Sequence, residues 1–339
     1  TKHAYSHTIA LSSGGKAFLA TGNPKYKHAL ENAWRFMEEQ RFASGGWGPE
    51  EQFVEPGQGK LFASLSNSQA HFETPCGSYA DLKLARYLIR LTGEARYGDG
   101  LERTLYNTML ATRTPDSDGG YPYYSNYGAN AVKKYYHRKW PCCSGTLVQG
   151  VADYVLNIYF HDDEALYVNL FAPSVVRWQR PRGTVLVEQI TNYPSENTSR
   201  IIVRTGGKFA LKICIPAWTS SATILLNGRA TLRPTPGQFA VLERQWKAGD
   251  TIEVTVPQPL RTLPIDDTHS DVVAVMRGAV LYVGLNPWEE LGQTALALPA
   301  ALKPIRPDGY VTDVNGKELV FVPYFDVQLE SYNTYFKQS

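Results

Sequence analysis

The sequence predicts an α + β multidomain protein, with stacked helical hairpins in the first half and an antiparallel β-sandwich in the second. Three observations carry this reading. Apolar residues recur with a 3.6-residue period up to about residue 160 and with a period of two beyond it. A turn-plus-helix motif starting at Thr21 returns at Thr92, 71 residues on. And 339 residues exceed what one hydrophobic core usually supports.

Four amphipathic helices are predicted. Pro24 to Phe42 sets Tyr26, Leu30, Ala33, Trp34 and Met37 on one stripe, with Pro24 suited to a first turn. Gly77 to Leu91 aligns Leu82, Leu84, Tyr87, Leu88 and Leu91; Gly98 to Thr112 aligns Leu101, Leu105, Met109 and Leu110; Gly145 to Phe160 aligns Leu147, Val151, Tyr154, Val155 and Ile158. Thr21-Gly22-Asn23-Pro24-Lys25-Tyr26 with Leu30-Glu31 matches Thr92-Gly93-Glu94-Ala95-Arg96-Tyr97 with Leu101-Glu102. Such a repeat is what stacked helical hairpins produce, each burying its apolar face on the next, and an α/α solenoid or toroid follows.

Strands are expected after His161-Asp162-Asp163: Leu166, Val168 and Leu170 alternate with Tyr167 and Asn169. β-type runs follow at Thr184 to Ile190, Arg200 to Arg204, Phe209 to Pro216, Thr223 to Leu226, Gln238 to Leu242, Thr251 to Val256, Val272 to Met276 and Ala279 to Val283. Asn227-Gly228 signals a tight hairpin turn. The tail from Pro299 to Ser339 shows no regular pattern. The expected division is a helical domain over 1–160 and a sandwich region over 161–339, whose last part near 285–339 stands as a candidate sub-domain.

Composition narrows the partner. With 34 Lys+Arg against 32 Asp+Glu the net charge is +2, which argues against nucleic acid or an acidic membrane surface. No apolar run approaches the roughly 20 residues that span a bilayer. The 21 Tyr and 7 Trp suit stacking on sugar rings, although aromatic β packing accounts for most of them. Composition leans towards a carbohydrate, and a homodimer is the candidate assembly. The chain opens Thr1-Lys2-His3-Ala4, with no start Met and no targeting segment, so its true N-terminus is expected to be missing.

Cys76, Cys142, Cys143 and Cys214 are too few for a disulfide scaffold. Reduced thiols favour the cytoplasm. Cys214, in the alternating run Leu211 to Ile215, reads as packing. The other three lie in Glu73-Thr74-Pro75-Cys76 and Trp140-Pro141-Cys142-Cys143-Ser144-Gly145, each just before a predicted helix, where the positive helix end favours a thiolate. Three thiolates and the Glu73 carboxylate would complete a tetrahedral zinc shell. Small buried cysteines, or a disulfide from Cys76 to Cys142 or Cys143, are the alternatives.

The run from Phe72 to Asn169 resembles glycoside hydrolase family 127. The resemblance rests on Glu-Thr-Pro-Cys-Gly-Ser-Tyr, Leu-Lys-Leu-Ala-Arg-Tyr-Leu, Arg-Tyr-Gly-Asp, Tyr-Asn-Thr-Met-Leu, Trp-Pro-Cys-Cys-Ser-Gly and Ile-Tyr-Phe-His-Asp-Asp-Glu-Ala-Leu-Tyr-Val-Asn-Leu. It reaches back to Gly45 through Phe53 and forward through Ile215-Pro216-Ala217-Trp218, Leu226-Asn227-Gly228 and Trp246 through Asp250. It implies an (α/α)6 barrel followed by β-sandwich domains, and retaining β-L-arabinofuranosidase activity with a zinc-bound cysteine as nucleophile. Carried onto this chain, Cys142 is the nucleophile, Cys76, Cys142, Cys143 and Glu73 are the Zn2+ ligands, and Glu51 is the acid/base, with Glu50 the rival. The family's Glu-Thr-Cys spacing is lengthened here by Pro75. A six-hairpin barrel has twelve helices and four are visible, so its N-terminal half is expected to be absent and this chain alone weakly active or inactive.

The loop Gly119 to Tyr127 and the run Tyr135 to Trp140 are expected to wall the sugar site, with Tyr123, Tyr124 and His137 as substrate contacts; packing alone is the competing explanation. A non-catalytic carbohydrate-binding or structural zinc protein is the alternative function, since closed four-ligand sites are usually structural.

Overall fold

A computed structural model of the chain describes residues 3–112, 120–137, 142–305 and 308–339. The fold is α + β, with several helices and many antiparallel strands, and the chain forms two compact units. One comprises residues 1–88, 103–153 and 260–339; the other comprises 89–102 and 154–259.

The first unit holds the helices that carry the sequence motifs. They are α1 (Ala4–Thr21), α2 (Pro24–Glu38), α3 (Lys60–Asn67), α4 (Thr74–Thr92), α5 (Arg96–Thr104) and α6 (Cys142–Val155), with α4 and α5 running on into the second unit. α2, α4, α5 and α6 fall where the apolar stripes placed helices. α1 has no leucine stripe. Its buried residues are Ala4, Thr8, Ser12 and Gly15, a line of small side chains that permits close approach. A Cβ on Gly15 would lie 2.7 Å from the Tyr87 ring of α4, so only glycine admits that contact.

The repeated motif is a helix end followed by a helix start. Gly22 closes α1 in the left-handed region (φ 66°), its N–H donating to the Phe18 carbonyl, and Gly93 does the same after α4 (φ 69°) with Ile89. In each, the threonine hydroxyl before the glycine accepts from the backbone two residues on: Asn23 N–H to Thr21, Glu94 N–H to Thr92.

Beyond α5 the chain continues into a π-helical turn, Leu105–Met109, and a 3₁₀ turn, Leu110–Thr112. The Asn107 amide uses this turn to grip the C-terminal sheet, donating to Ala279 O at 2.8 Å and accepting from Leu281 N–H at 2.7 Å. That eight-stranded antiparallel sheet runs in the order Leu260–Pro264, Val272–Arg277, Val280–Leu285, Lys317–Pro323, Gly309–Val314, Lys303–Ile305, with Tyr332–Asn333 and Phe336–Lys337 pairing to its centre. The tail thus has order the sequence reading did not find: Asn315 and Gly316, both at positive φ, join two of its strands.

In the second unit a six-stranded antiparallel sheet faces a four-stranded one, Trp178 of the first meeting Phe209 of the second edge-on at 6.1 Å. Asn227-Gly228 forms the expected hairpin between Thr223–Leu226 and Arg229–Leu232. In the four-stranded sheet Gly207–Cys214 pairs in parallel with Ala165–Val168, a departure from the purely antiparallel expectation. Cys214 packs, fully buried, as its alternating context implied.

Candidate functional site

Two chain segments 66 residues apart bring the motif cysteines together. Phe72–Glu73 forms a two-residue strand against Tyr124–Ser125, and Thr74 N–H donates to Tyr123 O at 2.8 Å, which fixes the start of α4. Phe72 is fully buried and presses on Gly77, where a Cβ would come within 2.3 Å of its ring; glycine there lets the strand close on the helix. Cys76 sits in the first turn of α4, and Cys142 and Cys143 in the first turn of α6.

Sulfur lies 3.4 Å from sulfur between Cys76 and Cys142, and 3.2 Å between Cys76 and Cys143. Glu73 Oε1 stands 3.6 Å from both Cys142 and Cys143. All four donor atoms fall within 4.8 Å of one another, so the Pro75 insertion does not remove Glu73 from the group. Glu73, Cys76 and Cys143 are buried while Cys142 is exposed, and all four cysteines are free thiols.

This cluster can hold a metal ion. Glu73 Oε2 is buried with no hydrogen-bond partner among the described residues, an arrangement a cation would relieve. Burial pushes Glu73 above the usual carboxylate range. The neighbouring Cys143 sulfur and burial drive the Cys76 thiol far up, and burial together with Cys76 pushes Cys142 up to about 11. Cys143 is raised as well: its contact with Cys76 opposes the shift, but burial and Glu73 outweigh it. Such a concentration of raised acids is what a soft cation with thiolate preference reverses.

The two glutamates at positions 50 and 51 separate cleanly. Both have left-handed backbones, at φ 53° and 59°, a strained arrangement for non-glycine residues. The Glu50 side chain accepts from the Ser68 hydroxyl. Glu51 instead receives the Tyr124 hydroxyl at 2.5 Å and lies 3.2 Å from His3 Nε2, which is itself 4.0 Å from Glu73. Tyr123 OH is 3.7 Å from Cys142 Sγ, and burial followed by that contact raises its pKa. His137 has an exposed ring that lies against Gly120. Of the motif and loop residues singled out in the sequence, Gly119, Arg138, Lys139, Trp140 and Pro141 lie outside the described residues.

Further residues complete the surroundings. Tyr136, from the run expected to wall the site, packs with Tyr5 and Leu147 on the buried Cys76, Tyr121 and Cys143, and Thr146 Oγ1 sits 3.1 Å from Cys76 Sγ. His3 and Tyr5 precede or begin α1 with no motif around them, so only proximity reveals them. Thr146, one helical turn beyond Cys142, had a spacing signal.

Residues 4–155 match the profile of the β-L-arabinofuranosidase GH127 catalytic domain, and residues 165–258 that of the GH127 middle domain. A non-reducing end β-L-arabinofuranosidase of Bifidobacterium longum subsp. longum is 26% identical over 242 residues, 64% of this chain and 36% of that protein. Among solved structures, a GH127 β-arabinofuranosidase superposes with a TM-score of 0.83 at 20% identity, over 99% of this chain and 60% of that one. A GH127 β-L-arabinofuranosidase from Geobacillus stearothermophilus T6 gives 0.78 at 19% identity, over 99% and 60%. The chain thus spans less than two thirds of the length of these relatives.

Proposed function

The chain belongs to glycoside hydrolase family 127, and from that premise we propose that it hydrolyses β-L-arabinofuranosides or a related furanoside with retention, using Cys142 as nucleophile and Glu51 as acid/base. The observation that carries this is the asymmetry of the cluster: three donors are buried and one sulfur, Cys142, is exposed beside Tyr123. A closed four-ligand site is usually structural, and the exposure of one of its sulfurs is what favours a nucleophile here.

Zn2+ is the metal proposed, held by Glu73, Cys76, Cys142 and Cys143; when bound it would keep the sulfurs deprotonated near neutral pH and make Cys142 a competent leaving group. Cys142 then attacks the anomeric carbon while Glu51 protonates the departing oxygen. Glu51 next takes a proton from water, which displaces Cys142, and the second inversion restores the original configuration. Tyr124 and His3 hold the Glu51 carboxyl in place. Tyr123 and Tyr124 are the proposed sugar contacts, with His137 at the periphery. The hairpins α1/α2 and α4/α5 are read as part of an (α/α)6 barrel ending near residue 160, supported by the change from helices to strands between Val155 and Tyr159. The sandwich is taken to follow it.

Elemental analysis and turnover of an aryl β-L-arabinofuranoside test the proposal together. Zinc at one per chain, lost in Cys143→Ala, with turnover abolished in Cys142→Ser, is the expected pattern; turnover that survives Cys142→Ser refutes the nucleophile.

A further inference from the structure

The second unit carries a cleft that the catalytic reading does not use. Its floor is the outward face of the four-stranded sheet, where cross-strand register sets Phe160, Tyr167, Lys212 and Val241 side by side. Phe239, two residues before Val241 on the same strand, meets the Tyr167 ring at a right angle, 5.2 Å between centroids. One wall is the turn Gly93 to Arg96, and the open cleft has a volume of about 470 Å³, within the roughly 300–1,000 Å³ of ligand sites.

The wall is preformed. Ala95 is buried, and its carbonyl faces the Cys214 thiol at 3.9 Å; Asp99, one turn on, accepts from Ala217 N–H at 2.9 Å. The floor departs from the rule that an outward sheet face is polar: Val241 is 53% exposed beside Phe239 and opposite Lys212. The two cations of the cleft are compensated. Lys212 Nζ bonds Tyr167 OH at 2.6 Å and lies 3.7 Å from Asp162, while Arg96 pairs with Glu94 at 2.6 Å. Apolar rings at the base and the Gln238 amide at the rim, with the lining charges of Glu94, Arg96 and Lys212 brought to balance only by Asp162 beside Lys212, match a ligand with apolar faces, a hydroxylated edge and no charge of its own.

We propose that this cleft binds a neutral oligosaccharide, so that the unit without the thiol cluster grips a glycan chain. Only the identity of the sugar rests on the glycoside hydrolase reading. The test is calorimetric titration of the Cys142→Ser chain with a neutral L-arabinofuranose oligosaccharide. Tyr167→Ala and Phe239→Ala should each weaken one binding event at least about tenfold. Val241→Glu should do so from an exposed position that leaves the fold intact. Placed in the chain with Cys142 present, all three should turn over an aryl β-L-arabinofuranoside at the unsubstituted rate. No saturable binding, binding indifferent to Tyr167→Ala and Val241→Glu, or equal or tighter binding of a uronic-acid oligosaccharide would each overturn the proposal. Binding lost on substitution in a chain that hydrolyses nothing would retain the cleft and reject the catalytic reading.

Discussion

Metal uptake by the thiol cluster should release about three protons and be steeply pH-dependent. The perturbation is simply pH. Without metal, Cys76, Cys142 and Cys143 are all raised, Cys142 to about 11, so all three sulfurs are protonated at neutral pH. Binding needs them as thiolates, and each must lose its proton. Three protons per ion make the apparent association constant rise about a thousandfold per pH unit, or ~4 kcal/mol, throughout the range below the lowest free thiol pKa. Glu73, also raised, adds to the slope at the acid end. Chelator competition with zinc at pH 6, 7 and 8 measures the slope, and calorimetry in buffers of different ionisation enthalpy counts the protons independently. A slope of one or less would refute the argument, because at least two of the three sulfurs would then not be ligands.

Gly77→Ala should destabilise the first unit by about 1–3 kcal/mol and weaken metal binding, since the new Cβ would lie 2.3 Å from a Phe72 ring with nowhere to retreat; urea unfolding and zinc affinity would register both. In the second unit, the Asp250 carboxylate accepts from Lys247 N–H at 2.8 Å and from the Asn227 amide at 2.9 Å, and the Lys247 bond holds it below the usual carboxylate range. Because the folded value is depressed, this stabilisation is complete above the unfolded value near pH ~4 and is lost as pH falls through the folded one. Asp250→Ala should therefore cost about 1.5–3 kcal/mol at neutral pH, with the gap to the unsubstituted chain narrowing in acid unfolding series.

The parts of the fold visible in the sequence are those whose apolar residues are large and periodic. Leu30, Trp34 and Met37 announce α2, and Leu82, Leu84 and Leu88 announce α4. α1 escapes because its buried face is Ala, Thr, Ser and Gly, which supply contact by closeness and not by volume, and that leaves no hydrophobic pattern. The eight-residue α3 escapes by length. The C-terminal hairpin was announced by Asn315-Gly316 but went unread, because Pro and charged residues interrupt the alternation on either side. Parallel pairing of Gly207–Cys214 with Ala165–Val168 leaves no local trace, since it joins strands some forty residues apart. At the site, the cysteines were legible because thiol chemistry and helix polarity coincide there, although α4 and α6 begin early enough to take them into their first turns. His3 was not, because its role comes from where α1 begins in space.

The choice between Glu50 and Glu51 shows why adjacent candidates need backbone geometry. Left-handed backbone costs a non-glycine residue roughly 1–2 kcal/mol, and here two successive glutamates adopt it. Some of that is offset locally: Glu50 N–H donates to Ala70 O at 2.8 Å, its carboxylate takes the Ser68 hydroxyl, and Gln52 N–H closes the turn on Pro49 O at 3.1 Å. The turn reverses the chain so that Gln52 bridges to His3. The same reversal that directs Glu51 to Tyr124 therefore also fixes the backbone of the residue whose imidazole approaches Glu51 from the other side. The strained turn at 50 and 51 thus belongs to the arrangement that holds the Glu51 carboxylate between the Tyr124 hydroxyl and the His3 imidazole.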